Sequence, residues 1–319
     1  MQRKFFLPEE KMKKLITLII SCAFLTLFIA GHLSGADHKI IARGKWGKEI
    51  DQLGISFPAP GVMPIAPYMS IGGFDVDEKG KLWIADSLNR KIKSFKNREW
   101  RYAMVNCESM GDLVHDSGKL FVISRNPDGL MIFDTDKEKV ERLIKVSFKS
   151  PLRISVINKT TIAIEEQSGG VWLVNTESEK SYLHPATSLE ACGKGSSIYG
   201  LQKNFDSENR SLIQAQLAEK IQEPEVVTTL EFSAESRIIF AKLAGMKGND
   251  PVAMTINAES PDKILFTRIK TNASPQEMAS LPIFDGPYLL SSWKLCSDGN
   301  FYGFEGTASE GFKIYQAVR

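Results

Sequence analysis

The sequence predicts an all-β fold, a six-bladed β-propeller whose ring is closed by its N-terminal strand. Three observations carry that expectation. A strand–turn–strand unit recurs six times, with turns centred at residues 80, 118, 158, 195, 262 and 299. Those turns are spaced by 38, 40, 37, 67 and 37 residues, a mean of about 44 that falls in the roughly 40–50-residue range of propeller repeats. Finally, each end of the folded part has a strand left over. The last unit stops after three strands at Phe312-Lys313-Ile314-Tyr315, and His38-Lys39-Ile40-Ile41-Ala42-Arg43 has no hairpin partner of its own. Pairing these two closes the ring and removes exposed edges that invite aggregation.

The first unit is the clearest. Phe74-Asp75-Val76-Asp77 alternates apolar and acidic residues, Glu78-Lys79-Gly80 supplies a turn with a glycine able to take positive φ, and Leu82-Trp83-Ile84-Ala85 is an apolar strand. A second turn at Asp86-Ser87-Leu88-Asn89 returns the chain through Lys91 to Phe95. Residues Gly73 to Phe95 resemble one NHL repeat, matching its pattern at Asp75-Val76-Asp77, Gly80, Leu82 to Asp86, Asn89-Arg90, Ile92 and Phe95. The resemblance implies an NHL-like propeller. As a motif it covers this one blade.

The remaining units repeat the plan without the motif. The second pairs Asp112–His115 with Lys119–Ile123 and Gly129–Phe133; the third pairs Ile154–Ile157 with Thr161–Ile164 and Val171–Val174. In the fourth, Gly193-Lys194-Gly195 turns into Ser197–Leu201, with Ser211–Ala215 behind. That glycine pair lacks the spacing and the following helix of a phosphate-binding loop, and reads as a hairpin. The fifth reads as Val252–Ile256, a turn at Ser260-Pro261-Asp262, and Ile264–Phe266. The sixth is Trp293–Cys296, Phe301–Phe304 and Phe312–Tyr315. The long gap before residue 262 implies an insertion at Glu219–Glu235 or a seventh hairpin, and Ala215 to Glu223 has a short helical look. Pro58, Pro60, Pro64 and Pro67 make the link into the first unit a non-helical crossing. Trp83, Trp172 and Trp293 are expected to pack between blades, while Trp46 and Trp100 lie nearer the blade edges.

Residues 1–36 read as a secretory leader, with translation starting at Met1 or Met12. Lys11, Lys13 and Lys14 precede an apolar run from Leu15 to Ala30, and Ser34-Gly35-Ala36 follows at a signal-peptidase spacing. An uncleaved anchor and a lipoprotein processed at Cys22, within Ile19-Ile20-Ser21-Cys22, are the competing readings. The expected protein is therefore exported, periplasmic or extracellular, with residues 37–319 as a single propeller domain. Residues 1–36 hold five of the 40 Lys and Arg and two of the 38 Asp and Glu, leaving 35 basic against 36 acidic residues. A charge near zero gives no reason to expect nucleic acid as a partner, and membrane contact is expected only through an uncleaved leader or a lipidated Cys22. Cys107, Cys192 and Cys296 allow at most one internal disulfide and fit buried strand positions.

The candidate site is the channel mouth at the ends of the second strands. Aligning those strands brings Asp86, Ser124, Glu165, Gln202, Arg268 and Glu305 to equivalent positions, and their loops add Asn89, Arg90 and Arg125. Polar residues at strand ends are expected on solvation grounds alone, so a solvated or mutually paired rim competes with a ligand-binding one. No cofactor or metal is expected, because Arg268 supplies an internal counter-ion to the carboxylates. The expected function is a binding module for a protein, peptide or glycan. The alternative implied by propellers of the gluconolactonase kind is a metal-dependent hydrolase or lyase drawing on Glu165, Glu305, Asp86 and Asn89. A histidine-bound zinc is harder to build from His38, His115 and His184, and no G-x-S-x-G nucleophile elbow occurs.

Overall fold

A computed structural model describes residues 38–55, 71–184, 189–203, 209–217, 224–230, 238–270, 273–283, 293–307 and 309–318. Residues 1–36, expected to be a leader, the proline-rich link over 57–67 and residues 218–223 lie outside these. The chain begins with β1 (His38–Trp46) and β2 (Gln52–Leu53), followed by blade one: β3 (Gly73–Val76), β4 (Leu82–Asp86), β5 (Lys91–Lys96) and β6 (Glu99–Met104). Blade two holds β7 (Ser109–Asp116), β8 (Lys119–Arg125), β9 (Gly129–Asp134) and β10 (Lys139–Lys145). Blade three holds β11 (Pro151–Val156), β12 (Thr161–Glu166), β13 (Val171–Asn175) and β14 (Ser181–His184). Blade four is β15 (Gly193–Lys194), β16 (Ser197–Lys203), β17 (Arg210–Gln216) and β18 (Glu225–Leu230). Blade five is β19 (Ile238–Lys247), β20 (Asp250–Asn257), β21 (Ser260–Lys270) and β22 (Ala273–Pro282). Blade six takes β23 (Trp293–Leu295), β24 (Phe301–Thr307) and β25 (Gly311–Ala317), and its outermost strand is β1. This is the six-bladed propeller that the sequence predicts, with the two leftover ends paired.

The apolar second strands follow from this packing. Along β4, Leu82 and Ile84 pack toward blade six with Phe304, Phe312 and Ile314, while Trp83 and Ala85 pack toward blade two with Leu113, Leu120 and Phe133. In β8, Leu120 and Val122 face blade one, and Phe121 and Ile123 face blade three. Successive strand residues point to opposite faces. A strand covered by a blade on each side must therefore be apolar throughout, as parallel buried strands are for the same reason. Trp83 is 2% exposed and sits edge-on to Phe133 of blade two at 6.3 Å. Trp172 meets Phe148 in the same manner at 6.1 Å. Trp293 is half-buried within the blade five and six cluster.

Closure is antiparallel between β1 and β25, with Ile40 opposite Tyr315 and Gly44 opposite Phe312. Trp46 packs at a tilt against Phe304 and Phe312 and donates its indole N–H to the Thr307 carbonyl at 2.6 Å, so it is a packing residue of the seam. Trp100 packs on Phe95 and Phe312 beside it.

Blade five differs from the expectation. The hairpin Val252–Phe266 joins its second and third strands, because Ile238–Lys247 forms the inner strand and turns at Gly248, whose φ is +66°. The turn at 262 is thus replaced by one at 248, and the long gap shrinks to 53 residues. Nor does a seventh blade fill it: Glu225–Leu230 is the outer strand of blade four. Of the stretch with a helical look, Ala215 and Gln216 belong to β17.

Candidate functional site

The inner strands of blades one, two, three, five and six, and Glu190 just ahead of β15 in blade four, bring charged residues to the centre of the ring, and these residues tie the blades together. Asp75 accepts the backbone N–H of His115 from blade two at 2.7 Å and both the N–H and the hydroxyl of Ser297 from blade six. Asp112 accepts the Ile154 N–H of blade three and the ammonium of Lys294 at 2.9 Å. Glu190, leading into β15, accepts the Leu243 N–H of blade five at 2.9 Å. Inner-strand N–H groups have no ladder partner on the channel side, and a buried one without a partner is costly. The carboxylates satisfy them, each of these N–H bonds crossing to the neighbouring blade, while the Asp112–Lys294 pair reaches from blade two past blade one to blade six.

Two cations complete the ring. Arg153 donates to Glu165 at 2.6 Å and to Glu190 at 2.8 Å, and Lys242 reaches Glu165 at 2.7 Å. Burial alone raises the Glu165 carboxyl, but Arg153 and Lys242 outweigh it and hold the group below its ordinary value. Lys294 is disfavoured by burial, yet Asp112 and Asp75 beside it keep its ammonium above the ordinary lysine value.

Above this charged floor opens a cavity of about 680 Å³, lined by residues of all six blades. Its lower wall includes Asp112, Arg153, Ala191, Ala244 and Lys294; its rim is formed by the turns between first and second strands, at Glu78, Asp116, Asn158, Lys194, Lys247 and Gly299. Side chains of three rim turns donate to the glycine carbonyl of the next: Asn158 to Gly195 at 2.7 Å, Lys194 to Gly248 at 2.7 Å and Lys247 to Gly299 at 2.6 Å. Within the wall, the buried Ser155 hydroxyl has no hydrogen-bond partner among the described residues. His115 Nδ1 lies 3.2 Å from a Glu78 carboxylate oxygen. Cys192 and Cys296 also line the cavity as free thiols, which burial pushes well above the ordinary value, leaving them protonated. Cys107 is free and buried as well.

None of the residues expected at the mouth formed by the second-strand ends lines this cavity. Asp86 is fully buried, pairs with Lys93 at 3.1 Å and accepts the Gly54 N–H and the Asn89 amide. Asn89 in turn donates to the Gly47 carbonyl, so both hold the segment after β1. Arg90 is exposed, with φ of +54° in the turn. Ser124 is buried and donates to the Pro127 carbonyl, and Arg125 donates to the Lys149 carbonyl. Glu165 belongs to the Arg153 network, and Gln202 is exposed on β16. Glu305 accepts the Tyr315 hydroxyl at 2.5 Å. Arg268 is displaced most from its expected position: it sits on the third strand of blade five, paired with Asp250 at 2.5 Å.

The carboxylates that a gluconolactonase-like metal site would draw on are thus engaged by cations or hydroxyl groups. Among the described residues no group of three His, Cys, Asp or Glu side chains is placed to hold a metal ion.

No protein-family model matches the chain, and no curated protein matches it. Among solved structures it is similar to U3-55K, with a TM-score of 0.50 at 9% identity over 78% of this chain and 80% of that one. It also matches the WD40 repeats of RRP9 (TM-score 0.49, 9% identity, 78% and 80% covered) and the hydrazine synthase of Kuenenia stuttgartiensis (0.48, 13%, 81% and 98%). At 9% identity the first likeness is one of fold.

Proposed function

We propose that the chain is an exported, NHL-like propeller acting as a binding module that takes a protein, peptide or glycan segment into its channel mouth. The observation that carries this reading is the cavity: it is open at the rim of first-to-second-strand turns and has an ion-paired floor. Its volume lies in the roughly 300–1,000 Å³ range of ligand pockets, and its lining combines apolar and polar side chains. The binding surface of this proposal is on the face opposite the second-strand ends. The NHL assignment rests on residues 73–95, whose motif residues Asp86 and Asn89 secure the closing segment.

A Ser155→Phe variant fills the cavity from its wall. Binding to arrayed peptides, glycans and candidate proteins should be lost in that variant while its melting temperature stays near that of the parent. Ligands retained by the filled protein would move the site off the channel. For export, the intact mass of protein recovered outside the cytoplasm should begin at Asp37; retention of residues 15–30 or a lipid on Cys22 would refute the cleavage.

A further inference from the structure

We propose that Cys192 and Met246 form a binding site for a soft monovalent cation, copper(I) above all, on the channel wall between blades four and five. The two side chains come from different blades. Cys192 stands just ahead of β15, where its carbonyl accepts the Tyr199 N–H at 2.7 Å and its own N–H donates to the Glu190 carbonyl at 2.7 Å. Met246 is the penultimate residue of β19. Their sulfurs lie 3.5 Å apart. Two bonds of about 2.3 Å, the usual metal–thiolate length, span that gap with one ion between them. The unbranched methionine side chain adjusts to the angle the ion prefers. This goes beyond the reading of the mouth as a seat for a bound segment, since the cavity serves here only as the path of entry.

The chemistry of the pair selects the ion. A thiolate and a thioether are soft donors, which favour copper(I) over cations that take oxygen ligands. Leu212, Leu243, Ala253 and Ile269 pack with Cys192 in one buried cluster, against which Met246 lies. Such a shell keeps solvent from the ligands and lowers the local dielectric. Charge acts in the same sense. Burial holds the Cys192 thiol in its protonated form, and a coordinating thiol gives up its proton to the metal. The S–H bond breaks, the sulfur–copper bond forms, the proton leaves to solvent, and the site stays as neutral as before. A divalent ion on this single thiolate would leave a positive charge among apolar side chains, which is costly. Cys192 is buried and Met246 half-buried, and both line the open cavity, so an ion reaches them from the mouth. Cys296 lines the same cavity from the cluster between blades six and one, and Cys107 does not line it; these two thiols are internal controls.

The test is anaerobic titration of the reduced protein with copper(I) held by a chromogenic chelator, followed by X-ray absorption at the copper edge of the loaded protein. The wild type should withdraw one copper(I) per chain, and the absorption fine structure should show two sulfur neighbours. Met246→Leu, close in volume, should weaken the affinity by about tenfold or more. Cys192→Ser should remove it, while Cys22→Ser, Cys107→Ser and Cys296→Ser, made singly, should leave it unchanged. Melting curves check that each variant is folded, and the count of sulfur neighbours needs no variant at all. No withdrawal of copper(I) by the wild type overturns the proposal. So does a single sulfur neighbour, a shell of nitrogen and oxygen, or equally tight binding by Met246→Leu, each of which would reduce the site to a thiol like any other. Equal losses in Cys192→Ser and Cys296→Ser, or displacement of the copper by equimolar zinc, overturn it as well.

Discussion

Lys93 and Asp86 form an ion pair at 3.1 Å in which both side chains are fully buried. The pair lies where the seam of the propeller needs it. Lys93 Nζ also donates to the carbonyls of Glu49 and Gln52, and Asp86 accepts the Gly54 N–H. Residues 47–54 link β1 to the approach of blade one, so two side chains of blade one hold the chain that completes blade six. Burial lowers the Lys93 pKa, and Asp86 opposes the shift.

Lys93→Met keeps the aliphatic length and removes the charge. It leaves the Asp86 carboxylate buried without its counter-ion, a loss of about 3–5 kcal/mol for a broken buried pair. Asp86→Asn combined with Lys93→Met should cost clearly less than Lys93→Met alone, since no charge remains buried. Urea denaturation of the wild type and the two variants checks this. Equal stability of Lys93→Met and wild type would show that the seam does not depend on the pair.

Deleting residues 37–46 removes the outer strand of blade six and exposes the β25 edge, together with Phe304 and Phe312 where Trp46 covers them. An uncovered edge is a template for pairing with another chain. The truncated protein should form oligomers by light scattering or lose most of its stability. A monomer that melts with the full-length protein would contradict the closure.

Much of this architecture was legible because propeller hairpins are local. Gly80, Gly118, Gly195 and Gly299 sit at positive φ in the turns where glycine was read. Blade five misled because the β20–β21 hairpin, with Ile264, Phe266 and a proline turn, is a stronger strand signal than Ile238–Lys247, whose run through Ala241, Ala244 and Gly245 lacks strand alternation. That one shift carried Arg268 from a third strand to an expected second one. The candidate site was less legible, since a polar residue at a strand end looks the same whether solvated or paired. Glu165 is decided by Lys242, 77 residues away, and Asp86 by the Gly54 N–H, 32 residues away. Lys159 and Lys194 stand in turns that were recognised as turns, whereas the turn after Lys247 was not, and the convergence of the three needs the ring order of the blades.

Trp83→Ala should cost about 3–5 kcal/mol, the range for a buried large aromatic, because the ring fills the interface of blades one and two. Trp83→Phe should lose about 1 kcal/mol from its indole bond to Asp77 at 3.1 Å, plus a smaller packing loss. Chemical denaturation separates the two. A cost below about 1 kcal/mol for the alanine variant would place the ring outside the core.

Glu165→Gln tests the charged floor through its pH dependence. The carboxyl of Glu165 is held below its ordinary value of 4.5 in the folded protein. Its stabilisation is therefore fully present above the unfolded value and is lost as pH falls through the lower folded value. Glu190 runs the other way: burial raises it, Arg153 lowers it, Glu165 raises it again, and the net shift is upward, so its ionisation disfavours the fold as pH rises. Replacing Glu165 leaves Arg153 to Glu190 alone and relieves part of that cost. The variant should be less stable than wild type by about 2 kcal/mol near pH 7, the scale of hydrogen bonds to charged groups. That gap should begin to narrow as pH falls below about 4.5 and close only once the pH has passed the lower folded value, where the wild-type carboxylate is protonated and the two proteins become alike. Denaturation curves between pH 3 and 7 (about these limits) measure it. A gap that stays constant across the range would mean that Glu165 acts through packing, and that the Arg153 and Lys242 pairs add nothing to the floor.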